Sequence, residues 1–267
     1  MLALYHNDMS LCAQKVRIAL AEKGLDWEDR HIALRSGEHQ KEWYRKLNRR
    51  AVVPTLIDGD KVVTESNVIL EYLDERFPEP SLSPKDPYGR AQMRFWTKQL
   101  DEDIHDASAA IITFGLAFRH QYLQRGEHGK RMLEQIPNIF KRERRRDVIE
   151  KGVQSQHFKI AVQRMVQLLD EMEEALAEHQ WLVGNSYTLA DVAFTPYVLR
   201  LEHLHILQMI GGRSHVSAWY ERCKQRPSFE TALRKWENAD YLAVMNRGGD
   251  EHWADIEALI TQMKAAA

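Results

Sequence analysis

The stretch Ala51–Pro78, AVVPTLIDGDKVVTESNVILEYLDERFP, constrains the fold of this 267-residue chain more than any other. Thr55-Leu56-Ile57 and Lys61-Val62-Val63-Thr64 are rich in β-branched residues, with Asp58-Gly59-Asp60 as turn punctuation, so the spacing predicts a hairpin. A helix follows, with Val68, Ile69, Tyr72, Leu73 and Phe77 spaced for one apolar face and Pro78 and Pro80 closing it. Pro54 stands at the mouth of the first strand, where a missing ladder donor is tolerated.

Upstream, Leu2–Tyr5 reads as a strand and Leu11–Lys23 as a helix that buries Val16, Ala19 and Leu20 and ends at Gly24. Trp27–Leu34 alternates as a second strand, Ser36-Gly37 breaks it, and His39–Leu47 is a short helix or turn. The resulting β-α-β-α-β-β-α order predicts a small α/β domain with a mixed sheet over residues 1–80.

Downstream the pattern is helical. Residues 81–87 form a Pro- and Ser-rich linker, and 88–267 form an all-α domain. From Tyr88 to Leu123 the apolar positions Trp96, Leu100, Ile104, Ala107, Ile111, Phe114 and Phe118 step by three or four. Phe158–His179 is a second strong helix; Val216–Cys223 and Phe229–Trp236 follow, with Pro227 between them. Thr188 and Asp191 have the spacing of a helix-starting capping pair. The insert 125–157 carries the basic run Lys141-Arg142-Glu143-Arg144-Arg145-Arg146, read either as a solvated or mobile face or as a rim for an anionic or bulky aromatic substrate. The extension 237–267 either folds back over a cleft or packs on the bundle.

A net charge of −2 gives no reason to expect nucleic acid or an anionic membrane as partner. Met1 leads into Leu2-Ala3-Leu4 without a basic segment, and no apolar run reaches the roughly 18 residues of a membrane span, so the expectation is a cytoplasmic protein. Cys12 and Cys223 are too few for a disulfide framework. His203 and His205 lack further ligands nearby, so no metal is expected.

The chemistry is expected at Asn7-Asp8-Met9-Ser10-Leu11-Cys12, where the first helix begins. A hydroxyl at Ser10 lies beside unsatisfied backbone donors and the positive end of the helix dipole, which suits an anion. Ser10 also fits a plain N-cap, and one residue can do both. Holding a weak acid ionised two pKa units below its ordinary value needs roughly 2.7 kcal/mol of preference for the anion. A charge-assisted hydrogen bond supplies about 1.5–3 kcal/mol and the helix end about 0.3–1 kcal/mol, so no separate general base is required. Cys12 is the alternative nucleophile, since a helix N-terminus also favours a thiolate.

This arrangement resembles the serine-type cytosolic glutathione transferases. Val53-Pro54 is similar to that family's Val-Pro pair with its cis proline, and Glu65-Ser66 to the pair holding the γ-glutamyl end of glutathione. Ser10, six residues before Val16, holds the place of the family's thiol-activating serine. Ser10-x-Cys12 partly matches the Ser-Ser-Cys of the isomerase-type class. The string Gly37-Glu38-His39-Gln40 resembles a plant-class segment whose histidine and next residue reach the glycine carboxylate of glutathione. Asn48-Arg49-Arg50 departs from the usual Asn-Pro and puts an arginine within reach of an anionic group.

The resemblance implies a thioredoxin-like N-terminal domain followed by an α-helical bundle that carries the electrophile pocket, with Phe114 and Phe118 as candidate lining. It implies glutathione as co-substrate, a hydrophobic or aromatic electrophile and a homodimer. The long basic insert and extended tail resemble the bacterial glutathione-dependent β-etherases. Two alternatives stand beside conjugation: thiol transfer or isomerisation through Cys12, and a glutathione-binding protein without turnover.

Overall fold

Among the described residues, 1–266 of this computed structural model, four strands form one mixed sheet in the order β2-β1-β3-β4. They are β1 (Leu2–His6), β2 (Trp27–His31), β3 (Thr55–Asp58) and β4 (Lys61–Thr64). β1 pairs parallel with β2 and antiparallel with β3, and β3 pairs antiparallel with β4. The register aligns Tyr5 with Thr55 and Thr55 with Thr64, so one row of residues crosses three strands. β2 stops at His31, short of the predicted Leu34, and two 3-10 turns at Leu34–Ser36 and Glu38–Gln40 take the chain onward.

Helix α1 (Leu11–Glu22) ends in a Schellman motif: Leu25 N–H donates to the Leu20 carbonyl and Gly24 N–H to that of Ala21, with Gly24 at φ +61°. After α2 (Glu42–Leu47), α3 (Ser66–Arg76) buries Ile69, Leu70 and Leu73 with Leu4, Leu56, Val16 and Leu20 as the apolar core. Val68 does not join them; it is 56% exposed, because Ile69 and Leu70 take the inward positions. Buried Tyr44, Ile32 and Val53 form a separate cluster with Tyr5.

The helical part begins with α4 (Pro87–Gln99). The rod predicted from Tyr88 to Leu123 is continuous but widens twice into π-helix, at Leu100–Ala109 and Phe114–Phe118, flanking α5 (Ala110–Thr113) and leading into α6 (Arg119–Gln124). Such widenings occur frequently at functional sites. The insert is ordered into α7 (Glu127–Glu134) and α8 (Ile139–Lys151). α9 (Gln156–Glu178) buries Ala161, Met165, Leu168, Met172 and Leu176 as its periodicity predicts.

α10 (Leu189–His203) starts with reciprocal capping, in which Thr188 N–H donates to Asp191 Oδ2 and Ala190 N–H to Thr188 Oγ1. Asp191 also accepts from Trp219 Nε1 and Leu182 N–H, so its buried carboxylate is well supplied with donors. Next come α11 (Ser214–Lys224) and α12 (Pro227–Ala232). Pro227 is the first residue of α12 rather than a spacer, where its missing N–H costs nothing. The tail forms α13 (Ala239–Ala266), with Met245 and Ile256 fully buried.

The chain divides into two compact units: residues 1–97, 179–196 and 218–238, and residues 98–178, 197–217 and 239–267. The first holds the sheet.

Candidate functional site

Every site residue expected in the first unit follows from one end of the sheet. Ser10 follows β1, Val53-Pro54 precedes Thr55 of β3, and Glu65-Ser66 follows Thr64 of β4. Tyr5, Thr55 and Thr64 form a single row, so the register alone places these three loops side by side. His39 and Gln40 lie beyond the end of β2, which runs parallel to β1.

Ser10 is the N-cap of α1, with φ −74° and ψ 120°, and its Oγ accepts from Ala13 N–H at 3.4 Å. An oxygen that accepts there keeps its own proton for donation. Cys12, two residues on, is half-buried in the first turn, whereas Cys223 is buried and its thiol is pushed well up by desolvation. Of the two, Cys12 is the more exposed residue.

The loop ahead of Ser10 is held by Arg17, a residue the sequence reading left unassigned. Its guanidinium donates from Nη1 to the Asn7 carbonyl at 3.1 Å, from Nη2 to that of Asp8 at 2.8 Å, and from Nε to that of Ala232 at 2.8 Å. Nη1 also lies 3.0 Å from His6 Nδ1. Arginine has no acceptor, so Nδ1 accepts and the imidazole proton sits on Nε2, which donates to Asp29 at 2.7 Å. Burial first, and the Arg17 charge second, push the His6 pKa down from 6.5 to about 4, keeping the ring neutral.

Val53-Pro54 is cis. The loop before it is pinned where Tyr44 Oη and Asn48 Nδ2 both donate to the Val52 carbonyl, at 2.8 and 2.9 Å. Neither side chain was singled out from the sequence, since each acts through a backbone carbonyl several residues away. Glu65 adopts φ +68°, a conformation that costs a non-glycine residue about 1–3 kcal/mol and that clusters at ligand sites. Its carboxylate lies 2.8 Å from Arg50, the second of the two arginines in the departing Asn48-Arg49-Arg50 stretch. Ser66, buried, opens α3, whose first N–H groups lack intrahelical partners and suit a carboxylate.

His39 is half-buried and Nδ1 has no hydrogen-bond partner among the described residues. Desolvation, with Arg45 behind it, lowers its pKa and favours the neutral ring.

Phe114 and Phe118 lie in the second unit, on the π-helical stretch, and both are partly exposed. They pack edge to face at 5.4 Å, with Tyr122 against Phe114 at 5.7 Å and Tyr241 against Phe118 at 5.8 Å. Arg145, from the basic run of the insert, places Cζ 3.4 Å from the Phe114 ring centroid. It is only 7% exposed, so this one member of the run turns inward while Glu143 is exposed and the other four are partly exposed. Burying an unpaired cation costs several kcal/mol, more than the roughly 2 kcal/mol a desolvated cation–π contact returns.

Comparison with known proteins decides what this geometry belongs to. Residues 4–81 match the glutathione S-transferase N-terminal domain and residues 133–227 its C-terminal domain. Over 246 residues the chain is 32% identical to the tetrachloro-p-hydroquinone reductive dehalogenase of Sphingobium chlorophenolicum, covering 86% of this chain and 94% of that protein. The chain belongs to the glutathione S-transferase family. A second relative in that family is protein LigF of Sphingobium sp. strain SYK-6, 30% identical over 92% of this chain and 98% of LigF. The crystal structure of LigF, described as a β-etherase, superposes with a TM-score of 0.77 at 28% identity, over 88% of this chain and 99% of that one. A glutathione transferase uses glutathione as co-substrate, and this chain is an enzyme of that type, with a thioredoxin-like N-terminal domain followed by a helical domain. Among the described residues no helix is long and apolar enough to cross a membrane.

Proposed function

We propose that Ser10 stabilises the thiolate of glutathione for attack on an aromatic electrophile, with cleavage of a β-aryl ether as the favoured reaction. The observation that carries this reading is the placing of Ser10, Val53-Pro54 and Glu65-Ser66 at one end of the sheet, Ser10 with a hydroxyl proton to donate. In this assignment Glu65 and Ser66 take the γ-glutamyl end and Val53 the peptide backbone. His39, through its orphaned Nδ1, and Gln40 reach the glycine end. The sulfur forms a bond to the carbon bearing the aryl oxygen; that carbon–oxygen bond breaks, and the phenolate leaves with the electron pair and takes a proton from water. Phe114 and Phe118 supply an aromatic surface for the substrate ring. The description of LigF as a β-etherase supports an aryl ether as the substrate bond and the phenolate as leaving group.

The test is Ser10→Ala. Conjugation of 1-chloro-2,4-dinitrobenzene and release of phenol from a β-aryl ether both fall by an order of magnitude or more, about the value of one charge-assisted hydrogen bond. Unchanged turnover with the fold intact removes Ser10 from the mechanism.

A second reading rests on the half-exposed Cys12 in the first turn of α1. Its thiolate attacks glutathione disulfide, forms a mixed disulfide and releases glutathione thiolate. Mass spectrometry after treatment with glutathione disulfide shows a glutathione adduct on Cys12 if this reaction operates, and none if it does not. A cytoplasmic homodimer is part of this proposal, with family likeness as its support and light scattering as the test of the dimer.

A further inference from the structure

The inward face of α8 carries Lys141, Arg145, Val148 and Ile149, at the three- and four-residue steps of one helical stripe. A packed helix usually fills such a stripe with apolar side chains, and here one buried position holds a guanidinium. Lys141 has its counter-charge, with Nζ 2.6 Å from Asp106. Arg145 has no carboxylate within ion-pair distance among the described residues, and its Nε is buried without an acceptor. Desolvation lowers its pKa, with Tyr122 and then the Asp106 charge opposing this through space. Two other buried arginines use their donors on oxygens: Arg17 has its carbonyls, and Arg213 donates to Asp170 and to the Met209 carbonyl at 2.7 Å. Arg145 differs in this from Arg17 and Arg213, and it does so against partly exposed aromatic rings on a π-widened helix.

We propose that Arg145, stacked on Phe114, is the binding point for a carboxylate carried on an aromatic ring, so that the electrophile this enzyme accepts is an aromatic acid. The planar fork of the guanidinium matches the two oxygens of a carboxylate, and Phe118 beside Phe114 offers the edge and face that an aromatic substrate packs against. The inference rests on the transferase reading for what happens to the acid afterwards, but recognition is measured without glutathione or turnover.

The experiment is calorimetric titration of the full chain with 4-nitrobenzoate and, separately, with its uncharged methyl ester. The wild-type chain binds the acid at least about tenfold more tightly than the ester, a ratio that Arg145→Gln brings close to one. Arg145→Lys, which keeps the charge and loses the fork, retains part of it. Arg145→Met restores the apolar stripe and gives the same loss if the glutamine variant fails to fold. Equal binding of acid and ester by the wild-type chain, or an unchanged ratio in the folded glutamine or methionine variant, overturns the proposal. Failure of the transferase reading shows instead as absence of conjugation, with this ratio untouched.

Discussion

Lys15 Nζ donates to Asn67 Oδ1 at 2.7 Å, a buried bond that ties the second turn of α1 to the first turn of α3. Asn67 Nδ2 in turn donates to the Thr97 carbonyl at 2.8 Å, so the amide is used at both ends. The bond spaces Ser10, at the head of one helix, from Glu65-Ser66, at the head of the other.

Lys15→Met removes the donor and leaves Asn67 Oδ1 buried without it. The expected loss of unfolding free energy is about 1–3 kcal/mol, read as a lower urea midpoint. Because both helix starts contribute to the proposed glutathione site, the glutathione Kd rises in the same variant. A lower midpoint with an unchanged Kd separates the bond from the site.

The His6 ring makes stability depend on pH below neutrality. Its folded pKa of about 4 lies below the ordinary 6.5, so the unfolded chain binds a proton there that the native chain refuses. The contribution is complete above pH 6.5 and is lost as pH falls towards 4, about 3 kcal/mol in all. Protonation also turns Nδ1 into a donor facing Arg17, which loosens the loop before Ser10. Urea unfolding at pH 7 and pH 4.5 reads this, and His6→Gln flattens that part of the profile.

Two glycines of α13 are required by close approach. A Cβ on Gly249 would stand 1.5 Å from the Leu204 carbonyl oxygen, and one on Gly248 would stand 2.2 Å from that of Leu116. Gly249→Ala is expected to cost more than about 2 kcal/mol despite alanine's better helix propensity, because the contact is with backbone that cannot rotate away. Differential scanning calorimetry of the single variant checks it.

The first unit was legible because its signals are local. Hairpin punctuation, helix stops and the spacing from Val53-Pro54 to Glu65-Ser66 each act within a few residues, and the register does the rest. Arg17, Tyr44 and Asn48 escaped because each works through a backbone carbonyl, which no residue pattern announces. Val68 was read inward because adjacent apolar residues share a helix edge, and only packing chooses between them. Arg145 sits in a run of charges that reads as solvated, and which member turns inward is decided by the partner helix. The π-widening at Phe114–Phe118 leaves no mark on a periodicity that still steps by three or four.

The most direct test of the central claim is the ionisation of glutathione bound to this chain, followed by thiolate absorbance against pH. On the wild-type chain the thiol titrates about two units below its ordinary value near 8.5, and Ser10→Ala moves it back up by at least about one unit. A bound thiol that titrates at the same pH with serine or alanine at position 10 contradicts the account.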